Sequence, residues 1–363
     1  MPGKQPILPT DIHTQISTLK NYKTTMTSDE RKAAFLELGR QIQALPGDQL
    51  EEWQARARNE NPWFTPESTA AAMEGIASML TEQSLTQWLA GYTIPARSPR
   101  KIGVVMAGNI PAVGFHDFLC VLLSGHILLA KLSSQDTVLL KAIASLLTGI
   151  EPRFGDQIHF VERLTQADAI IATGSDNSAR YFHYYFGKKP NIIRQNRTSC
   201  AILTGEETRD ELQALGQDIF QYFGLGCRNV AKLYVPEHYD FTTFFESIEP
   251  LQPVASHYKY ANNYDYQKAV LLVNQVPHLD NGFLLLTENN ALVSPMAVVY
   301  YETYATRAEL EQKVEANQEK LQCVVSQKGW YPGSLSFGNT QCPQAWDYAD
   351  GVDTLRFLLN LPS

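Results

Sequence analysis

The chain has 363 residues, 44% of them hydrophobic and 19% charged, with a formal net charge of -8. That is long for one hydrophobic core and ordinary for two packed lobes, which at this composition can bury an interior without metal or disulfides. A net negative chain with no dense Lys/Arg stripe excludes a nucleic-acid partner, because phosphate backbones are bound by clustered cations.

The first twelve residues hold no continuous apolar stretch, so no secretory signal is expected and the cytoplasm is the expected compartment. Residues 28–45 carry apolar side chains at helical spacing. Thr65-Pro66-Glu67 announces another helix, with Thr65 as N-cap and Pro66 at its first position. The first hundred residues therefore read as a helical N-terminal region. From Lys101 the texture changes to short β-branched runs at 102–106, 127–131, 158–161, 169–173 and 201–204. Helix-length stretches at 113–123, 137–147 and 178–186 separate them, an alternation that predicts an α/β fold with a parallel sheet. The most apolar region, 118–132, is interrupted by Ser124, Gly125, His126 and Lys131 and is too short to span a bilayer. A helix over 206–223 leads through Gly224-Leu225-Gly226 to Cys227, and a strand at 230–235 opens a second α/β lobe. The expected divisions are 1–205 for the helical region with a dinucleotide-binding domain, 206–330 for a domain carrying the cysteine, and 331–363 for a closing segment.

Three loops fall where chemistry is expected. The strand ending near Met106 runs into Ala107-Gly108-Asn109-Ile110-Pro111, which puts a glycine turn and an amide at the carboxyl end of a sheet strand, the edge where α/β sheets bind ligands. Lys131 ends the next strand and precedes Leu132-Ser133-Ser134, where an ammonium and a hydroxyl suit ribose or phosphate. Thr173-Gly174-Ser175 closes a later strand with small residues that allow close backbone approach. The five cysteines form no C-x-x-C pair and the eight histidines are scattered, so neither a disulfide framework nor a metal site is expected. Cys120 and Cys200 sit in apolar sequence and read as core, while Cys323 and Cys342 are undecided. Cys227 stands apart, because it follows two glycines at a helix-to-strand junction and precedes Arg228, a cation expected to lower the thiol pKa.

In this order the segments resemble the aldehyde dehydrogenase superfamily. Asn109-Ile110-Pro111 is similar to its asparagine loop, Lys131-Leu132-Ser133-Ser134 to its cofactor lysine loop, Thr173-Gly174-Ser175 to its glycine-serine turn, and Gly226-Cys227 to its nucleophile. Val293-Ser294-Pro295-Met296 is similar to the segment before a strand near the nicotinamide. Asn196-Arg197-Thr198-Ser199 and residues 347–354 resemble the acyl-CoA reductase branch that supplies aldehyde to bacterial luciferase systems. The resemblance covers the chain from about Lys101 onward. It implies an aldehyde dehydrogenase-like α/β fold of two lobes with parallel sheets, Cys227 and Asn109 as catalytic residues, and a nicotinamide cofactor held by Ala107, Gly108, Lys131, Ser133, Thr173, Gly174, Ser175 and Pro295. It also implies a homodimer and a substrate that is an acyl-CoA or acyl-carrier thioester.

Departures refine the expectation. Hydrolytic members carry a glutamate base in the segment that here reads Arg194-Gln195-Asn196-Arg197, so water activation to release an acid is not expected. Ser134 stands where an acid usually follows the cofactor lysine, which favours NADPH, with NADH possible. The competing readings are an aldehyde dehydrogenase with a base relocated to Glu206 or Glu207, and a catalytically silent relative that binds acyl carriers. His116 and Asp117 are adjacent on a helix, point to different faces and read as structural. Asp347, Asp350 and Asp353 read as caps of the closing segment.

Overall fold

A computed structural model of the chain describes residues 26–95, 98–174 and 176–362. Among the described residues four helices come first: α1 Ser28–Gln43, α2 Gly47–Glu60, α3 Pro66–Met79 and α4 Glu82–Leu89. Their starts are set locally. Thr27 and Glu30 form a reciprocal capping box, with Glu30 N–H donating to Thr27 Oγ1 at 3.2 Å and Thr27 N–H to Glu30 Oε2 at 2.7 Å. Thr65 accepts from Ser68 N–H at 3.2 Å, with Pro66 in the first turn, as the sequence predicts. Phe35, Leu38 and Ile42 of α1 and Met73 and Ile76 of α3 bury their apolar faces in one core with the lobe that follows.

That lobe is a parallel sheet of β1 Lys101–Val105, β2 Ile127–Lys131, β3 Ile158–Phe160, β4 Ala169–Thr173 and β5 Asn191–Arg194, in the order β3-β2-β1-β4-β5. Helices α5 Phe115–Leu123, α6 Val138–Ile150 and α7 Asp176–Phe186 connect its strands. All but one residue of α5 is buried, which accounts for the apolar texture of that stretch without a membrane. Among the described residues no helix is long and apolar enough to cross a bilayer.

The second sheet comprises β6 Thr198–Ile202, β7 Val230–Pro236, β8 Leu279–Asp280, β9 Leu285–Glu288, β10 Val298–Tyr304, β11 Leu321–Ser326 and β12 Leu335–Ser336, in the order β12-β11-β6-β7-β10-β9-β8. It is parallel except for β8, which is antiparallel to β9. Helices α8 Arg209–Phe220, α9 Thr242–Ile248, α10 Tyr258–Val273 and α11 Arg307–Glu315 accompany it.

One detail differs from the sequence reading. The run at 201–204 is not a strand of the first lobe: it belongs to β6, so the chain changes sheet between Arg194 and Thr198, ahead of the boundary expected near Gly205. A short buried strand looks the same in either sheet, and the connecting loop is too brief to advertise the switch. The closing segment also joins both lobes. β12 extends the second sheet, and α12 Thr354–Leu359 returns to the first lobe, where Leu355 and Leu358 are fully buried in its core.

Candidate active site

A cleft of about 700 Å³ lies between the carboxyl ends of β1 and β4 in the first sheet and the amino ends of β6, β7 and β10 in the second. The first sheet reverses its strand order between β1 and β4, so this is its switch-point crevice. The loop after β1 enters it and is fixed from several sides. Asn61 Nδ2 donates to the Gly108 carbonyl at 3.1 Å. A Cβ on Gly108 would stand 2.6 Å from Ser133 Oγ, so only glycine fits there. The Asp136 carboxylate accepts the N–H of Ala112, a residue held at φ 53. Asn109 itself is exposed, and its side-chain amide donates to the Leu225 carbonyl at 2.8 Å.

Leu225 belongs to the loop that carries Cys227. Three successive residues before it, Tyr222, Phe223 and Gly224, have φ of 54, 59 and 74°, a left-handed turn in which two non-glycine residues carry strain. Phe223 is held against Trp63 and His257, with ring centroids 5.2 and 4.6 Å apart. Asn229 ties the loop together: its Oδ1 accepts Gly226 N–H at 2.8 Å, while its Nδ2 donates to the carbonyls of Gln221 at 2.8 Å and Asp218 at 3.1 Å. Ser199 Oγ donates to the Cys227 carbonyl at 3.0 Å and accepts Cys323 N–H at 3.1 Å. Ser199 enters the sequence reading as a member of the segment 196–199, and Asn229 is given no role there. Their role depends on contacts across the loop and across strands, which no local pattern reports.

Cys227 is solvent-accessible, whereas Cys120, Cys200 and Cys323 are buried. Accessibility does not make it a ready thiolate. The thiol lies deep among protein atoms in the cleft, and that desolvation pushes its pKa up from the ordinary value, with Arg228 only partly opposing it. Arg228 thus acts in the expected direction, but burial outweighs it and the net shift is upward. The guanidinium is engaged elsewhere, donating to Cys323 Sγ at 3.3 Å, the Thr340 carbonyl at 3.4 Å and the Asp347 carbonyl at 3.1 Å.

Of the other predicted residues, Ala107, Gly108, Thr173, Gly174 and Pro295 line the cleft together with Asn109 and Cys227. Lys131 is exposed at the end of β2, and Ser133 packs behind Gly108; both sit at the same sheet edge but outside the cleft lining. Ser175 lies outside the described residues. Among the described residues lining the cleft there is no glutamate. Glu206 and Glu207, the relocated-base candidates, are not there: Glu207 instead accepts the N–H groups of Thr204 and Gly205 at 2.6 and 3.0 Å. Arg194, in the segment where a base would be expected, is buried and pairs in two-pronged fashion with Asp117 at 2.6 and 2.9 Å, with a further bond to Thr354 Oγ1 at 2.7 Å. His116 is bonded to the Ala345 carbonyl at 2.8 Å, so it and Asp117 both brace the closing segment. Among the described residues no group of three or more His, Cys, Asp or Glu is placed to hold a metal ion.

No family model and no curated protein matches the chain. Solved structures do. A NAD+ complex of aldehyde dehydrogenase from Bacillus cereus aligns over 83% of this chain and 72% of its own, with a TM-score of 0.59 at 14% identity. An apo betaine aldehyde dehydrogenase variant from Staphylococcus aureus aligns over 86% and 77%, with a TM-score of 0.61 at 12% identity. An indole-3-acetaldehyde dehydrogenase complex with NAD+ aligns over 90% and 76%, with a TM-score of 0.61 at 12% identity. At this identity the likeness is one of architecture: the chain has the α/β fold of aldehyde dehydrogenases, with parallel sheets.

Proposed function

We propose that this chain is an aldehyde-forming oxidoreductase of the acyl-CoA reductase type, which reduces an acyl-CoA or acyl-carrier thioester with a nicotinamide cofactor. The observation that carries the reading is the 2.8 Å bond from Asn109 to the Leu225 carbonyl, which brings a neutral amide donor beside the loop of an accessible cysteine in a cleft with no lining glutamate. An amide has a second N–H to offer, and with the Cys227 backbone N–H it suits the oxyanion of an attacked thioester. Cys227 then keeps the acyl group as an enzyme thioester while the carrier thiol departs. Among the described residues no glutamate lines the cleft to activate water against that thioester.

The carboxyl edge of the first sheet suits a dinucleotide. Thr173, Gly174, Ala107 and Gly108 offer small residues and backbone polar groups to the cleft, Lys131 and Ser133 stand at the same edge, and Pro295 shapes the wall facing them. Two solved structures of this fold are complexes with NAD+, which supports a nicotinamide cofactor. Ser134 in place of an acid removes repulsion toward a 2′-phosphate, which favours NADPH. When bound, the nicotinamide supplies a hydride to the acyl carbon. The protein's part is to orient the thioester, hold the oxyanion and return the thiolate.

The test is to offer NADPH and NADH with acyl-CoAs of graded length and to identify the product. Aldehyde formation abolished in Cys227→Ala and lowered about a hundredfold in Asn109→Ala is expected. Oxidation of aldehyde to acid without thioester reduction, or full activity in Cys227→Ala, overturns the reading.

A further inference from the structure

The cleft holds a carboxylate the mechanism has not used. Asp350 lines it alongside Cys227 but comes from the closing segment, in the short turn Ala349–Gly351. Its backbone is left-handed, at φ 58, followed by Gly351 at φ 65, a costly conformation for a non-glycine residue. The turn is tied to β11: Asp350 N–H donates to Gln322 Oε1 at 2.9 Å, and Gln322 Nε2 reaches the Tyr348 carbonyl at 3.4 Å. The carboxylate, 13% exposed, meets Arg197 Nε at 3.5 Å. Arg197 is itself held by the Leu321 carbonyl at 3.1 Å. Thus a side chain from the far end of the sequence is fixed beside the segment 194–197, in which no carboxylate remains.

We propose that Asp350 is the proton partner of Cys227, taking the thiol proton as the sulfur attacks and delivering it to the departing carrier thiolate; this rests on the thioester-reductase reading. The step balances. The Cys227 S–H proton passes to the Asp350 carboxylate through solvent in the cleft, and the sulfur pair forms a bond to the acyl carbon. The carbon–sulfur bond to the carrier breaks, and its thiolate receives the proton from Asp350. After reduction, collapse of the thiohemiacetal oxyanion expels aldehyde and leaves the Cys227 thiolate, which regains a proton from water by the same route.

The charges around the pair fit this use. Asp350 has Arg197, Arg194, the N–H of Gln195 and Asp117 around it; burial outweighs the cations and makes its carboxyl hold a proton to higher pH than an ordinary aspartate. Cys227 faces Arg228, Cys323 and Asp350, and the carboxylate opposes its ionisation. A proton on Asp350 and a thiolate on Cys227 therefore favour each other, as a transfer between them requires.

The test pairs two measurements on Asp350→Asn, with Asp350→Glu as the conservative control. The first is the pH profile of iodoacetamide alkylation at Cys227, read by mass spectrometry without substrate. The second is acyl-thioester turnover. The amide removes a negative charge, so the alkylation midpoint should move to lower pH while turnover falls about a hundredfold. A merely structural fault would not make the sulfur easier to ionise. Asp350→Glu should keep the wild-type midpoint and recover most of the turnover. An unmoved alkylation midpoint, or unchanged turnover in Asp350→Asn, overturns the proposal. If the wild type reduces no thioester, the thioester reading fails by itself, and the alkylation midpoint alone decides whether Asp350 and Cys227 share a proton equilibrium.

Discussion

The Asp136 carboxylate accepts the backbone N–H of Ala112 at 2.8 Å, so an acid buried beneath the asparagine loop holds that loop's left-handed residue. Burial and the neighbouring Glu60 push its pKa up to about 7, against the bonding of Ala112. The native state therefore binds a proton that the unfolded chain releases near pH 4, and stability attached to this group is present at low pH and declines as pH rises toward 7. A shift of this size is worth at most about 4 kcal/mol. Asp136→Asn keeps an acceptor for Ala112 and removes the titration. Denaturant midpoints at pH 5 and pH 8 should differ less in the variant, with the variant the more stable at pH 8. An identical pH 5 to pH 8 difference in both proteins would mean that Asp136 titrates normally.

Asn229 organises the nucleophile loop through its amide oxygen as acceptor and its two amide N–H groups as donors, all to backbone groups. Asn229→Ala leaves Gly226 N–H and the carbonyls of Gln221 and Asp218 without that partner in a nearly closed site, at a cost of about 2 to 3 kcal/mol. Asn229→Asp keeps only the acceptor and places a charge where two carbonyls point. Both should lower the melting temperature, the aspartate more than the alanine. In Asn229→Ala, alkylation of Cys227 at fixed pH should become less selective over the exposed Cys342, because the left-handed turn relaxes. Unchanged stability in both variants would show that the turn is held by its aromatic contacts alone.

Arg194 is an architectural cation of the first lobe. Its pair with Asp117 joins β5 to α5, and its bond to Thr354 ties both to α12. Removing one member of such a buried pair strands the other charge and costs about 3 to 5 kcal/mol. Arg194→Met should therefore be strongly destabilised, and Arg194→Met with Asp117→Leu much less so. The double-mutant cycle measures the coupling, and additive losses would deny it.

The sequence carried the architecture further than the site. Strands β2 and β4 and the cap at Thr65 were legible because each is set by a local pattern: a β-branched run between turns, or a hydroxyl before a proline at a helix start. The Asn109 and Cys227 loops were legible by their order along the chain. What was not legible is set by tertiary contact. Arg228 lowers the Cys227 pKa as its place in the sequence suggests, but burial of the thiol in the cleft, which no local pattern reports, outweighs it. Asp350 reads as a cap, and only the fold brings it to Arg197 and into the cleft. The sheet membership of β6 depends on its pairing with β7 and with β11, the latter more than a hundred residues away.

Helix α3 offers a test of where the acyl chain lies. Ala72, Gly75, Ile76 and Met79 recur at three- and four-residue spacing and line the cleft as one apolar face. At Gly75, which lines the cleft, a Cβ would meet no heavy atom within 4 Å, so alanine there displaces nothing and a larger side chain starts into open space. Glycine within a helix costs about 1 kcal/mol relative to alanine, so Gly75→Ala should raise stability by up to roughly that amount. Gly75→Phe should fold as well as wild type but occupy space that the end of a long acyl group would use. The expected signature is a drop in kcat/KM of about tenfold or more for the longest acyl thioesters with little change for acetyl and butyryl, because short chains end before they reach α3. If Gly75→Phe is stable and its chain-length profile matches that of wild type, the acyl chain leaves Cys227 in another direction and the α3 face serves only to close the lobe.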